Sequence, residues 1–352
     1  MRAFTSLLAL CLLAGCASQE RRAEMPDHGP IDIGLKQGLK AEIVSDHLGN
    51  PTHVSFRPSD GALTICASAD GNVIMVDGKT WIVRDGFDLE YWKKISPTEN
   101  FYHIGPLFAL WLPDNTIAVG DGGKPDGKEV VAFYKGAGKA ADALGVTNAI
   151  GPTSEPAVET DKGEGNFVGP VLSKDGNTIY VCSHGNDAKT WLMAVDVKTR
   201  KLTTLLSSDE GGVSTNAPMQ CLLVRDHLMV VYNGAGGKDD GLVVEWDLAT
   251  KKPVNQWKLP GLLDPMGMAA IAGKTDEYVI TDNNWDLRSV KDGKLARVKL
   301  VPGKDAVIEV IADKVKGPVH CAFGPDKRLY VACLGSMYDQ DKGMVIAIEG
   351  IK

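Results

Sequence analysis

The chain has 352 residues, with 45 acidic and 38 basic side chains that give a formal net charge of −7. Its basic residues are scattered and form no block, which argues against a nucleic-acid partner because phosphate binding needs clustered cations. Beyond the first fifteen residues no apolar run approaches the ~20 residues of a membrane-spanning helix.

The N-terminus carries the pattern of a secretory signal. Arg2 is followed by an apolar run over residues 4–14 that is too short to cross a bilayer. The run ends in Leu-Ala-Gly-Cys at residues 13–16. This stretch resembles the lipobox of bacterial lipoproteins, and the resemblance implies cleavage after Gly15 and lipidation of Cys16. An ordinary signal peptide followed by a chance cysteine is the alternative.

The chain divides into three predicted parts. Residues 1–15 form the signal peptide. Residues 16–38 are polar, contain Pro26 and Pro30 and show no strand period, so we expect a lipidated cysteine followed by a flexible tether. Residues 39–352 form the folded domain. We therefore expect a protein of the bacterial cell envelope, anchored to the membrane by its lipid and facing the periplasm or the exterior.

A unit of turn, strand, turn and strand recurs six times along the folded part. Its marker is a proline just before an apolar strand, and successive markers are 47 to 64 residues apart. The markers are Pro51, Pro106, Pro170, Pro218, Pro265 and Pro318. Turns rich in Asp, Gly and Asn, then β-branched strands, follow each marker. In the fifth unit the third strand is predicted at residues 287–290.

Six such units, with too few helices for crossover connections, predict an all-β, six-bladed β-propeller. The last unit supplies only three strands, whereas a spare strand at residues 40–45 precedes the first unit. We predict that this N-terminal strand becomes the outermost strand of the last blade, because pairing it there closes the ring and covers an exposed edge. An open array of β-sandwiches is the alternative.

Five cysteines follow Cys16, and each lies inside an apolar run. They are Cys66, Cys182, Cys221, Cys321 and Cys333. An even, regularly spaced set would indicate a disulfide framework. At least one of these five must be free, and we expect most of them to be free and packed in the strands.

The blade rhythm resembles six-bladed propellers of the NHL type and of the SMP-30/gluconolactonase-like group. The resemblance covers residues 39–352 and includes the segments 278–283 and 328–332. In the gluconolactonase-like members, Glu, Asn and Asp side chains hold a divalent cation that polarises a lactone carbonyl and activates water. Their Gly-Glu-Gly-Pro segment has a partial counterpart around Glu164, displaced from the first blade to the third.

One face of the predicted propeller, here called the top face, carries the loops between second and third strands. In four blades these loops are polar and rich in glycine, at residues 120–129, 183–189, 233–240 and 335–342. The long connection over residues 136–165 also ends there, and a loop of that length is usually functional or loosely ordered. The top face is therefore where we expect an unknown protein or small-molecule ligand to bind.

Polar residues gather at the predicted channel mouth. His53 and His320 each stand second after a marker proline, in blades that ring closure makes neighbours. Other candidates at strand ends are His184, Asn233, Asp282 and Asn283, with Glu164 and Asp121 as weaker ones. Oxygen ligands suit calcium, and two or three imidazoles suit zinc. A structural role at wet strand ends remains the alternative.

The sequence leaves two functions open. The first is a lipid-anchored envelope propeller that binds a ligand or a protein through its top face. The second is a metal-dependent lactonase or related hydrolase whose site lies at the channel mouth. The chain has no Gly-x-Ser-x-Gly elbow, zinc-protease helix or phosphate-binding loop. No catalytic residue is therefore assigned, and a divalent metal, Ca²⁺ or Zn²⁺, is the one cofactor considered.

Overall fold

The computed structural model describes residues 30–77, 79–91, 94–96, 99–100, 103–125, 128–148, 163–185, 190–207, 217–285, 290–336 and 339–352. Within these ranges only the backbone is described for residues 94–96, 99–100, 147–148, 163–165 and 184–185.

Six antiparallel four-stranded sheets form the blades, each running from the central channel outward. Blade one consists of Pro51–Phe56, Leu63–Ala67, Asn72–Val76 and Thr80–Asp85, blade two of Pro106–Trp111, Thr116–Asp121, Val130–Lys135 and Gly145–Asn148, and blade three of Gly163–Leu172, Thr178–Gly185, Trp191–Asp196 and Leu202–Ser207. Blade four consists of Pro218–Val224, His227–Tyr232, Leu242–Asp247 and Lys252–Lys258, blade five of Pro265–Ala270, Glu277–Asp282, Asp292–Lys299 and Val307–Lys316, and blade six of Pro318–Phe323, Leu329–Cys333, Gly343–Glu349 and Lys40–Leu48.

Smaller elements lie in the connections between strands. Two short hairpins, Glu90–Tyr91 with His103–Ile104 and Lys94–Ser96 with Glu99–Asn100, lie between blades one and two. Single 3₁₀ turns occupy Ser68–Asp70, Ala140–Asp142 and Gln340–Lys342. No helix long and apolar enough to cross a membrane occurs in the part of the chain that is described.

The blades form a closed ring, as predicted. The first strands of successive blades contact one another, and the first strand of blade six contacts that of blade one. The strand Lys40–Leu48 pairs antiparallel with Gly343–Glu349, with Lys40 opposite Glu349. The N-terminal strand thus completes blade six, and it extends three residues beyond its predicted end because the third strand offers backbone partners along its whole length.

Five marker prolines begin the first strands of their blades, and one backbone hydrogen bond repeats beside them. The residue after the second strand donates its N–H to the carbonyl of the residue before the proline. The pairs are Ser68 with Asn50, Gly122 with Gly105, Asn233 with Ala217, Asn283 with Asp264, and Leu334 with Gly317. The marker therefore identifies a repeated structural position at the top of each of these blades.

Blade three departs from this pattern, and the prediction that Pro170 opens its first strand is wrong. The strand begins at Gly163, so Pro170 lies inside it, after a register shift between Val168 and Val171. Gly169 takes a φ of +55°, which glycine adopts without strain. A proline is tolerated there because the first strand is the channel-side edge of the sheet, where a missing N–H removes no ladder bond.

Two other segments differ from the sequence prediction. The third strand of blade five is Asp292–Lys299, whereas residues 287–289 of the predicted strand lie outside the described part of the chain. The connection over residues 136–165 is not a structureless loop, since Gly145–Asn148 forms the fourth strand of blade two and Gly138–Lys139 pairs in parallel with blade one. The strands Gly138–Lys139 and Gly145–Asn148 are short and each contains a glycine, so their strand signal is weak in the sequence.

A buried arginine of blade one holds the connection between the third and fourth strands of blade two. Arg84 is 1% exposed and donates to the carbonyls of Lys135, Gly136 and Lys139. Its guanidinium lies 4.6 Å from the centre of the Tyr134 ring. The hydrogen bonds and the aromatic face compensate the burial of the charge.

The end of the predicted tether lies against blade five. Ile33 is buried, and its carbonyl accepts a hydrogen bond from the Lys314 N–H. The Lys36 N–H donates to the carbonyl of Ile311. Residues 30–38 therefore continue the surface of the propeller. Cys16 and the signal peptide lie outside the described residues.

Every cysteine that the structure describes is buried and free, in agreement with the sequence prediction. The hydrophobic clusters that contain most of them lie between neighbouring blades. Cys182 and Cys221, for example, share one cluster with residues of blades three and four.

Candidate functional site

A cavity opens at the channel mouth on the top face and encloses about 740 Å³, including the part open to solvent. It is lined by Asn50, Thr52, His103, Ile104, Leu107, Asn166, Val168, Gly169, Met219, Met266, Trp285, Val319, His320 and Leu334. All six blades contribute to this wall.

The repeat itself builds most of the wall. In five blades the residue directly after the marker proline lines the cavity, since the first strands converge on the channel where they begin. These residues are Thr52, Leu107, Met219, Met266 and Val319, and blade three adds Val168 and Gly169. Because most of them are aliphatic or thioether side chains, the wall is mainly apolar, and its methionines can adapt to ligands of different shape.

Three buried polar side chains interrupt this apolar wall. Asn50 is 2% exposed, and Asn166 and His320 are each 6% exposed. Among the described residues, Oδ1 of Asn50, Oδ1 of Asn166 and Nε2 of His320 have no hydrogen-bond partner. Buried polar atoms are usually paired in folded proteins, because an unpaired one loses its hydration without compensation. The cavity wall therefore offers polar groups that a bound molecule can satisfy.

The orientation of the Asn50 amide follows from its contacts. Its Nδ2 donates to Oε1 of Gln340 at 2.8 Å, and the same oxygen accepts the His103 N–H at 2.8 Å. The Asn50 backbone N–H donates to the Gln340 carbonyl at 3.0 Å. Since Nδ2 is engaged as the donor, Oδ1 is the group left as a free acceptor.

His320 and His53 lie side by side, as predicted from ring closure. Their ring centroids are 4.1 Å apart, and both rings are buried. Burial lowers the pKa of His320 to about 3. Burial, and secondarily the neighbouring His320, holds the pKa of His53 well below its ordinary value. Both rings are therefore neutral at physiological pH.

The tautomer of His320 can be assigned from one contact. Its Nδ1 accepts the Val54 N–H at 3.3 Å, so the proton of the neutral ring resides on Nε2. Nε2 is thus a hydrogen-bond donor without a described partner. His53 does not line the cavity, although its Nδ1 is also without a described partner.

Asp282 and Asn283 support the wall from behind and do not line the cavity. Oδ1 of Asp282 accepts the backbone N–H groups of Leu263 at 2.9 Å and Asp264 at 2.7 Å. Its Oδ2 lies 3.9 Å from Nζ of Lys294, and burial raises its pKa. The Asn283 side chain donates to the Pro318 carbonyl at 3.4 Å. The Asp282 contacts hold the turn that leads into blade five, and the Asn283 contact connects blade five to the start of blade six.

Asp121 occupies the same position in blade two as Asp282 in blade five. Each is the last residue of a second strand and stands opposite a marker proline, Pro106 or Pro265. Oδ1 of Asp121 accepts the Gly123 N–H at 3.2 Å, and burial raises its pKa. It does not line the cavity, nor does the half-buried Asn233.

The described residues do not bring the predicted metal ligands together into a metal site. Within them, no group of three or more His, Cys, Asp or Glu could hold a metal ion. His184 stands opposite Asn166 in blade three, and Glu164 lies in the first strand of that blade. The side chains of both lie outside the described part of the chain, so their role as ligands stays a prediction.

Several cavity residues carry no signal in the sequence. Asn50 precedes a marker proline and takes a φ of +45°. Asn166 lies in the first strand of blade three, whose start and register shifts are not evident from the sequence. Trp285 follows Asp282 and Asn283 after a second strand. The one usable signal is the residue after the marker proline, because in five blades the repeat places it at the same point of the channel wall.

Comparison with known proteins establishes the fold. No protein-family model matches the sequence, and no curated protein matches it. Among solved structures, a gluconolactonase from Xanthomonas campestris has a TM-score of 0.57 at 9% identity, covering 94% of this chain and 98% of its own. A luciferin-regenerating enzyme has a TM-score of 0.58 at 11% identity, covering 92% and 96%.

A calcium-binding protein, regucalcin from Agrobacterium tumefaciens, has a TM-score of 0.53 at 12% identity, covering 86% of this chain and 90% of its own. The chain has the fold of the gluconolactonase-like propellers. At these identities the likeness extends to the fold alone, so the chemistry of this propeller has to be argued from its own residues.

Proposed function

We propose that this propeller is a binding module of the bacterial envelope, anchored through Cys16, that takes a small uncharged molecule at its channel mouth. The observation that carries the proposal is the set of three buried polar atoms without described partners in an otherwise apolar cavity: Oδ1 of Asn50, Oδ1 of Asn166 and Nε2 of His320. The anchor would leave the top face open to molecules arriving from the aqueous side.

The cavity wall favours a molecule without formal charge. None of the described lining residues is an Asp, Glu, Lys or Arg, and the His320 ring is neutral. A charged group would lose hydration on entering such a wall and would find no opposite charge there.

The polar groups define which atoms the molecule must present. The Nε2–H of His320 would donate to an acceptor such as a carbonyl, ether or hydroxyl oxygen. Oδ1 of Asn50 would accept a hydrogen bond from a hydroxyl or an amide N–H. Leu107, Met219 and Met266 would contact the apolar remainder. The ligand class is therefore a compact neutral molecule with one donor and one acceptor on an apolar body.

A metal-dependent lactonase or related hydrolase is the second candidate. It is favoured by the shared fold with a gluconolactonase and with a calcium-binding protein. Calcium sites need several oxygen ligands with carboxylates among them, and the described cavity residues supply amide oxygens but no carboxylate. The described residues therefore do not fit a calcium site, and this candidate depends on Glu164.

The test is a binding screen on the full chain with matched neutral, anionic and cationic compounds, using thermal shift and then calorimetry. We expect saturable binding of neutral lactams, lactones or alcohols, weakened by Asn166→Ala and unchanged by Asn233→Ala, an asparagine outside the cavity. Binding confined to charged compounds would overturn the proposal. A stoichiometric divalent ion that is lost in Glu164→Ala, together with lactone hydrolysis, would establish the hydrolase instead.

A further inference from the structure

Two free thiols face each other across the junction of blades three and four. Cys182 lies in the second strand of blade three and Cys221 in the first strand of blade four. Their Sγ atoms are 3.3 Å apart, and both residues are fully buried. A covalent S–S bond is about 2.0 Å long, so the two sulfurs need to approach by roughly 1.3 Å.

The backbones at this junction are already in close contact. A Cβ on Gly169 of blade three would lie 2.1 Å from the Met219 carbonyl oxygen of blade four. The thiols are surrounded by apolar side chains, among them Leu192 and Val230. Neither thiol has a nearby carboxylate or cation among its described contacts, and burial raises the pKa of the Cys182 thiol. Once the protein has folded, the pair is therefore shielded and unreactive.

We propose that Cys182 and Cys221 form a disulfide between blades three and four when the chain folds in an oxidising compartment. The oxidant is a disulfide of the thiol–disulfide exchange class. One cysteine thiolate attacks it, which breaks the oxidant's S–S bond, forms a mixed disulfide and releases one oxidant thiol. The second cysteine then attacks the mixed disulfide at the sulfur of the first cysteine and releases the second oxidant thiol. Two electrons pass to the oxidant, and the two cysteine protons end on its thiols.

The thiol–disulfide exchange would take place during folding, because the packed junction of the folded protein excludes an oxidant. Blade three precedes blade four along the chain, so Cys182 would hold the mixed disulfide until Cys221 docks beside it. The bond would fix the junction at which Gly169 and Met219 line the cavity. It does not depend on the proposed ligand, so either proposal can fail alone.

The other described cysteines provide internal controls. Sγ of Cys321 contacts the Val279 carbonyl oxygen at 3.8 Å, and Sγ of Cys333 contacts the Val331 carbonyl oxygen at 3.9 Å. Both of these sulfurs contact backbone oxygens, and a thiol–thiol contact within the described chain is found for Cys182 with Cys221. We expect Cys66, Cys321 and Cys333 to stay reduced under the conditions that link the pair.

The experiment unfolds the full chain with reductant, refolds it in a mixture of reduced and oxidised glutathione, alkylates free thiols and maps peptides without reduction. The expected result is a Cys182–Cys221 peptide that has lost two hydrogen atoms, with Cys321 and Cys333 alkylated. Recovery of both Cys182 and Cys221 as alkylated thiols, or their linkage to other cysteines in comparable yield, would overturn the proposal.

A second measurement does not depend on mapping. Because a cross-link across this loop restricts the unfolded chain, the oxidised protein should melt on the order of 5 °C above the reduced protein. The difference should vanish in Cys182→Ala and in Cys221→Ala and should persist in Cys321→Ala. Equal melting temperatures of the oxidised and reduced wild-type chains would contradict the bond, even if a variant failed to fold.

Discussion

Asn50 and Gln340 join the two ends of the ring at the edge of the cavity. Nδ2 of Asn50, in the turn before blade one, donates to Oε1 of Gln340, in the last loop of blade six, at 2.8 Å. A second bond runs from the Asn50 N–H to the Gln340 carbonyl. The same pair thus connects blade six to the turn before blade one and orients a cavity acceptor.

Asn50→Ala should therefore reduce stability as well as binding. It removes the side-chain bond to Gln340 and places alanine at a φ of +45°, where a residue with a Cβ is strained. We expect a loss of about 2 kcal/mol in the free energy of unfolding, measured by urea denaturation. Asn50→Gly, which relieves the strain but also lacks the bond, should lose about half of that. Equal losses in the two variants would show that the backbone conformation contributes nothing.

His320→Leu tests the donor in the cavity wall. The leucine keeps apolar volume but removes the Nε2–H, so the Kd of the best neutral compound should rise by about tenfold, as expected for one lost hydrogen bond. Calorimetry measures the change. Asn233→Ala serves as the control for a polar residue at a strand end outside the cavity. An unchanged Kd in His320→Leu would remove His320 from the binding site.

Acidification should destabilise the protein through the two buried histidines. Their folded pKa values are lowered, to about 3 for His320 and well below the ordinary value for His53, whereas the unfolded value is about 6.5. Below the unfolded value the unfolded chain binds more protons than the folded one, so stability falls as the pH falls from about 6.5 toward the folded values. Above that window both states are neutral and the histidines contribute no pH dependence.

Between pH 6 and pH 5 the pair should account for a loss of about 2 kcal/mol. Buried carboxylates with raised pKa values, such as Asp282 and Asp121, oppose this trend. The measurement is therefore a comparison of urea unfolding at the two pH values for wild type and for His53→Gln/His320→Gln. The double variant should lose less stability on acidification than wild type, and parallel losses would contradict the assignment.

Removal of the closing strand should open the ring. A chain that begins after residue 48 lacks the partner of Gly343–Glu349 and leaves that strand as an exposed edge. We expect a marked fall in melting temperature and concentration-dependent association, measured by thermal unfolding and size-exclusion chromatography. Removal of residues 1–29 alone, which keeps the strand Lys40–Leu48, is the control and should leave both unchanged.

The repeat and its closure could be predicted from the sequence because both depend on local patterns. Alternating strands, turn residues and a proline at the first position of a strand are properties of neighbouring residues, and in five blades the marker proline begins the first strand as predicted. The closing strand followed from counting strands. The contact between His53 and His320 followed from closure, since each holds the same position in adjacent blades.

The position of Pro170 within its strand and the orientation of Asp282 could not be predicted, because both involve tertiary contacts that the local pattern does not specify. Pro170 lies inside a strand, and its neighbour Gly169 packs against the backbone of Met219 in the next blade. Asp282 stands at the predicted strand end, but its carboxylate binds backbone N–H groups of the turn before blade five instead of facing the cavity.

The cavity shows which features follow from the sequence and which depend on the tertiary structure. The sequence alone predicted the fold and, among the candidate residues, His320, which lines the cavity. Only the tertiary structure decided that Oδ1 of Asn50 and Nε2 of His320 are left without described partners, because hydrogen bonds to Gln340 and Val54 occupy the other polar atoms of these side chains. Those bonds join residues more than 250 positions apart, and no local periodicity encodes such a pairing.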